Sequence, residues 1–264
     1  MRANDARSGA SPWLAWAFFR RELSNRFSGT LLGAGWAFVQ PLALLAVYGF
    51  VFEAVFRVRL PATLDVPYLL FVALGLWPWL AFSDGVSRGM AAVVANGALV
   101  KKVRFPPAWL VFAAVTASFV LNLLGYALVM AVLALLGHGV QWQGLPVVVA
   151  ALLGLWVLAV GAALALAAFF VFIRDIEHVV SHGLSLLFYL SPVLFSVAMV
   201  PAVMADWMWL NPVTGLLEAI RASWLTGHIA AADGMWKSVG VAVVVGAIGY
   251  WLFHRLSPHF EEAL

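Results

Sequence analysis

Between Ala34 and Phe56 the chain is apolar for long enough to cross a bilayer, which takes about 20 residues, and five further runs of that kind follow. They read as Tyr68 to Arg88, Trp109 to Leu136, Pro146 to Ile173, Val179 to Val200 and Met235 to Phe253. Only 10% of the 264 residues are charged, against about 25% in a soluble domain. With 64% hydrophobic residues and a mean hydropathy of +0.99, such a chain cannot cover a water-facing surface. The sequence therefore predicts an all-α integral membrane protein: six transmembrane helices over residues 34–253, a preceding segment 1–33 and a tail 254–264. There is no cysteine, which excludes disulfides and thiolate-bound metals. Met1 to Ser11 lacks the apolar stretch of a cleaved signal, so the first span is expected to act as its own targeting signal.

An even number of spans puts both termini on one side. Eleven basic residues fall there: Arg2, Arg7, Arg20, Arg21, Arg26, Arg88, Lys101, Lys102, Arg104, Arg174 and Arg255. Four fall opposite, namely Arg57, Arg59, Arg221 and Lys237. The bias predicts cytoplasmic termini.

Ahead of the first span, Ser11-Pro12 reads as an N-cap and first helical position. Trp16, Phe19, Leu23 and Phe27 recur on one helical face, with Arg20, Arg21, Glu22 and Arg26 largely elsewhere. This is the pattern of an amphipathic helix lying in the membrane interface, or of a plain juxtamembrane anchor. Gly29, Gly33 and Gly35 allow a sharp turn into the span, and Pro41 predicts a kink inside it.

Two connections are unlike ordinary loops. Arg88 to Ala108 mixes apolar and basic residues and stops at Pro106-Pro107, which predicts a cytoplasmic helical segment between spans two and three. Pro201 to Gly234 is external yet carries Trp207, Met208, Trp209, Leu210 and Trp224. Asn211-Pro212 begins a capped helix there, so this connection predicts a re-entrant helical pair.

Some stripes within the spans mix polar and aromatic groups. Ser181, Ser185, Phe188, Pro192 and Phe195 fall within roughly 80° of each other if the fifth span is one helix. Trp36, Gln40, Val47 and Phe50 share a face of the first span. Aromatic faces pack on the C–H bonds of sugars while polar groups meet their hydroxyls; the alternative is ordinary helix packing. Gly154, Gly161, Ala165 and Ala168 form a small-residue face for close helix approach. Glu53 with Arg57, Asp84 with Arg88, and Glu218 with Arg221 have the spacing of intrahelical ion pairs. Asn122 has the capacity to bond across helices.

No His-Glu-x-x-His or carboxylate cluster offers a metal site, and no catalytic constellation is present. A phosphate-binding Gly-x-x-x-x-Gly-Lys-Ser/Thr loop is also missing, so ATP, if used, binds another chain.

Four stretches together resemble the permease subunit of the ATP-binding-cassette exporters that move lipid-linked polysaccharides such as O-antigen, teichoic acid and capsule. They are Arg20-Arg21-Glu22-Leu23 with Arg26-Phe27 and Gly33 to Pro41; Val100 to Pro106; Arg174-Asp175-Ile176-Glu177-His178; and Asn211-Pro212 with Glu218 and Arg221. The ending Leu256 to Glu262 is closest in character to the O-antigen type. The resemblance implies a homodimer in the bacterial inner membrane, with two separate ATPase subunits binding ATP and magnesium. It implies an undecaprenyl-linked glycan as substrate, membrane lipids as surroundings and no nucleic acid partner.

It also implies roles. Arg20, Arg21 and Arg26 would receive the lipid pyrophosphate. Trp36, Gln40, Phe50, Ser181, Ser185, Phe188 and Phe195 would line the sugar path. Lys101, Lys102, Arg104, Phe105, Arg174, Asp175 and Glu177 would contact the ATPase. Trp207, Trp209, Asn211, Glu218 and Arg221 would form the external gate. A small-molecule efflux permease of the same architecture, and a membrane-embedded enzyme, are the competing readings.

Overall fold

The computed structural model describes residues 12–26, 33–57, 60, 66–135, 137, 141–227 and 232–264. The readings placed on Arg2, Arg7, Ser11, Phe27, Gly29 and Arg59 lie outside these residues. Among the described residues the chain is predominantly helical and contains no strand.

In chain order the α-helices are α1 (Pro12–Asn25), α2 (Trp36–Tyr48), α3 (Tyr68–Ala95), α4 (Gly97–Lys102), α5 (Ala108–Leu135) and α6 (Leu145–Phe170). They continue as α7 (Ile176–Leu190), α8 (Ala202–Met208), α9 (Pro212–Thr226), α10 (Ala232–Leu256) and α11 (Phe260–Ala263). Among the described residues, five helical stretches are long and apolar enough to cross a membrane: Phe38–Val55, Tyr68–Ala95, Ala108–Leu135, Trp142–Phe170 and Gly234–Ala263. The protein is thus a multi-pass membrane protein.

The core is built around α3. Leu70, Phe71, Val72, Leu74, Leu76 and Trp77 are all shielded, because α5, α6 and α9 pack around this helix. Glycines set the closest approaches. A Cβ on Gly161 of α6 would lie 2.6 Å from the Cα of Gly246 in α10, so these helices meet backbone to backbone. Such contact suits membrane helices, where dispersion rather than water exclusion drives packing. It accounts for part of the small-residue face expected on α6, and Gly154 meets Leu216 and Val239 on the same side.

The differences from the sequence reading are local. The helix expected to end near Arg88 continues to Ala95, which puts Arg88 on α3 and not in a loop. In the first span, the hydrogen-bonding pattern changes at Gly49, where α2 gives way to a π-helical stretch, Gly49–Val55. A π turn moves residues four apart off a common face. Glu53 and Arg57 accordingly form no ion pair among the described residues, and Arg57 sits beyond the helix with φ at 50°. Asp84 and Arg88, on regular helix, do pair at 2.8 Å. Asn122 donates to the Ser118 carbonyl on its own helix at 2.9 Å and does not reach across.

The fifth expected span is interrupted. Its helix, α7, has 15 residues and ends at Leu190. At 1.5 Å per residue that is about 22 Å, short of the roughly 30 Å hydrocarbon core. Ser191 is extended, as suits a residue before proline, and the chain stays non-helical until Val197.

Candidate functional site

The non-helical segment 191–196 is held by three side chains from other elements. Arg221, on α9, is only 2% exposed. Its guanidinium donates to the carbonyls of Pro192 and Val193, to Phe195 at 3.4 Å and to Phe71 at 3.3 Å. It lies 4.0 Å over the Phe71 ring and 3.3 Å from a Glu218 oxygen. Tyr68 donates its hydroxyl to the Leu194 carbonyl at 2.7 Å, and Asn211 donates to the Ser191 hydroxyl at 2.8 Å. A break in a helix leaves carbonyls without donors, and Arg221 and Tyr68 supply them. Space for the guanidinium comes from Gly75: a Cβ there would overlap Nη2 of Arg221 and lie 3.2 Å from the Val193 carbonyl oxygen.

The same Asn211 caps α9, accepting from the Val213 amide at 3.0 Å, with Pro212 following and Gly227 closing the helix in the left-handed region at φ 67°. The capped helix read from the sequence is therefore present, and its apolar face is enclosed by α3, α6 and α10. Burial pushes the Glu218 carboxyl above its ordinary value, and Arg221 beside it opposes the shift. Of the other proposed gate residues, Trp207 is exposed on α8, and Trp209 leans on Gly234 at the start of α10.

A run of rings leads away from this centre. Phe71 packs on Tyr68, Tyr68 on Phe52, and Phe52 on Tyr48. Tyr48 stacks on Phe188 at 6.2 Å, and Phe188 also meets Trp79 at 5.7 Å and Tyr189 at 5.1 Å. Leu44, Tyr48, Trp79, Ser83, Ser185 and Phe188 line an open cleft of about 260 Å³ here. Of the expected path residues, Ser185 and Phe188 are brought together in this cleft. Ser185 donates to the Ser181 carbonyl at 3.0 Å, and Ser181 is exposed one turn away. Trp36 and Gln40 on α2 and Phe50 on the π-helical stretch after it are exposed, Trp36 46% and Phe50 65%. Pro192 and Phe195 leave the stripe because α7 has already ended. Tyr48, Tyr68, Phe71 and Trp79 were missed by the sequence reading. Their signal was present as aromatic residues within the first two spans, but no spacing rule pairs residues from three helices.

At the opposite end of the helices, α1 packs on α5 through Phe18, whose ring is 5.1 Å from Phe105. The face that buries is thus centred on Phe18, while Trp16 stacks on Phe19 and is exposed. Arg26 pairs with Asp84 and donates to the Ser118 hydroxyl at 3.3 Å. Arg21 donates to the Asn96 side chain, and Arg20 is exposed. Lys101, Lys102 and Arg104 are exposed on and just after α4, as are Arg174, Asp175 and Glu177 before and on α7. No group of three metal-ligating side chains occurs among the described residues.

The comparisons with known proteins cover the same ground. The chain is 31% identical over 250 residues to the O-antigen export system permease protein RfbA of Myxococcus xanthus, with 93% of each chain covered. It is 25% identical to the RfbA of Klebsiella pneumoniae over 92% of each chain. It is 24% identical to the polysialic acid transport protein KpsM of Escherichia coli over 81% of each. Residues 14–225, which run from α1 through the Arg221 centre, match the ABC-2 type transporter family, and the chain belongs to that family.

Proposed function

We propose that this chain is the transmembrane subunit of an ATP-driven exporter that carries an O-antigen-type polysaccharide on a lipid pyrophosphate across the bacterial inner membrane. The observation that carries the reading is the likeness to an O-antigen export permease over 93% of both chains. Two copies form the conduit. The exposed face of α2, with Leu186, Tyr189 and Leu190 of α7, supports such pairing, since these apolar side chains are left largely uncovered by the described residues. The Tyr48–Phe188–Trp79 cleft supplies ring faces for sugar.

In this reading both termini are cytoplasmic, and α7 with the capped break at 191–196 makes the fifth of six crossings. Helices α8 and α9 are the re-entrant pair that closes the outer end, and α4 is the cytoplasmic gate helix. Arg20 and Arg21 meet the anionic lipid head. Arg26 instead anchors α1, because it is already engaged by Asp84 and Ser118. Two separate ATPase subunits hold ATP and magnesium beneath Lys101 to Phe105 and Arg174 to Glu177. Scrambling Lys101 to Phe105 is expected to abolish surface display of the glycan while the permease still folds and inserts. Display at the normal rate would remove the transmission role from this segment.

The KpsM likeness favours a second reading, export of a capsule polymer. Supplying the exporter with each lipid-linked glycan in inverted vesicles separates the two by which one is taken up.

A further inference from the structure

The segments expected to contact the ATPase, Lys101 to Phe105 and Arg174 to Glu177, are far apart in sequence, and they adjoin α4 and the turn after α6 respectively. A third element joins them. Helix α10 ends at Leu256, and the turn Ser257–His259, with Pro258 inside it, sends the chain into α11. Phe260 is fully buried. Its ring lies edge-on to Phe253 of α10 at 5.3 Å and 6.0 Å from Phe172, just past the end of α6. Leu264 then reaches α4: a Cβ built on Gly97 would lie 3.4 Å from Leu264 Cδ2. One short segment therefore touches both loops.

Its outward side carries Glu261 and Glu262, both exposed and without an ion-pair partner among the described residues. On α4, Lys101, Lys102 and the following Arg104 are exposed in the same way. The packed unit of α4 and α11 thus carries exposed groups of both signs.

We infer that α11 is a third docking element for the ATPase subunit, with Glu261 and Glu262 meeting basic groups of that partner while Lys101, Lys102 and Arg104 meet acidic ones. The inference rests on the exporter reading above. Complementary charge of two signs fixes orientation better than one sign does, because a rotated partner meets like charge. The burial of Phe260 makes the acidic pair move with α6 and α10, so force on it reaches the spans directly.

The test uses the whole complex of permease and ATPase chains in lipid nanodiscs. The variant E261K/E262K changes only exposed side chains, so its melting temperature as an isolated permease is expected to match the wild type. Its affinity for the ATPase is expected to fall by about tenfold at low salt, with the difference shrinking as salt screens the charges. The reversal K101E/K102E is measured beside it. If K101E/K102E weakens assembly and E261K/E262K leaves it unchanged, α11 is not a docking element. If neither reversal has any effect, the ATPase-partner reading of this face fails and the inference falls with it.

Discussion

Replacing Gly75 by alanine is the sharpest test of the Arg221 centre. In the interior of a helix alanine is favoured over glycine by about 1 kcal/mol, so helix propensity alone predicts a more stable protein. The structure predicts the reverse. The new Cβ overlaps Nη2 of Arg221, and the guanidinium has no free direction in which to retreat. It donates to Phe71, Pro192, Val193 and Phe195 and lies on the Phe71 ring. The neighbouring wall is the Val193 carbonyl itself. If the clash displaces the donors from two of the four carbonyls, the loss is about 2–6 kcal/mol, at roughly 1–3 kcal/mol for each buried acceptor left unpaired. After the propensity gain the net destabilisation is about 1–5 kcal/mol.

Thermal melting in nanodiscs reads this directly. Gly183→Ala is the matched control, since a Cβ at that helical glycine meets nothing within 4 Å. It is expected to melt at or slightly above the wild type. Arg221→Met removes the overlapping group, so Gly75→Ala is expected to do much less harm in that background, and the two changes are non-additive. A Gly75→Ala protein that melts as high as Gly183→Ala would refute the reasoning.

Three further outcomes follow from the packing and the ion pairs. A double-mutant cycle on Arg26→Gln and Asp84→Asn is expected to give a coupling of about 1–2 kcal/mol, as for a partly buried charge-assisted bond; a value near zero would separate α1 from α3. Gly161→Leu is expected to destabilise the protein by about 3 kcal/mol or more, because a large side chain cannot fit where α6 and α10 meet at the backbone; wild-type melting would contradict that approach. Phe188→Leu keeps the volume close and removes the flat ring, so it is expected to preserve folding and slow glycan export by at least about tenfold, measured as surface glycan per unit time. Export at the wild-type rate would show that the ring face is not used.

Much of the class and outline was readable from residue types alone. Low charge and long apolar runs leave no choice but membrane helices, and these occur at 68–95, 108–135, 142–170 and 234–263, starting close to where they were expected, although the first and last of them run well past the expected ends at Arg88 and Phe253. Caps are local chemistry, so Asn211-Pro212 announced α9 correctly. The Asp84–Arg88 pair was equally legible, because both partners lie on one regular helix.

What could not be read was settled by contact between elements distant in sequence. Periodicity shows that a face is apolar but not which neighbour covers it: the Trp16 face was read as lying in the membrane interface, and nothing in the spacing marked Phe18 as the residue that packs on Phe105. Pro192 was visible, yet an apolar run continued past it. The helix can stop at Leu190 only because Arg221, Tyr68 and Asn211 arrive from α9, α3 and the loop before α9 to satisfy the opened segment. Arg221 itself had an intrahelical acid three residues away, and that near partner hid its four distant carbonyls. A guanidinium has five donors in a rigid fork, and where they go depends on which backbone the fold carries within reach.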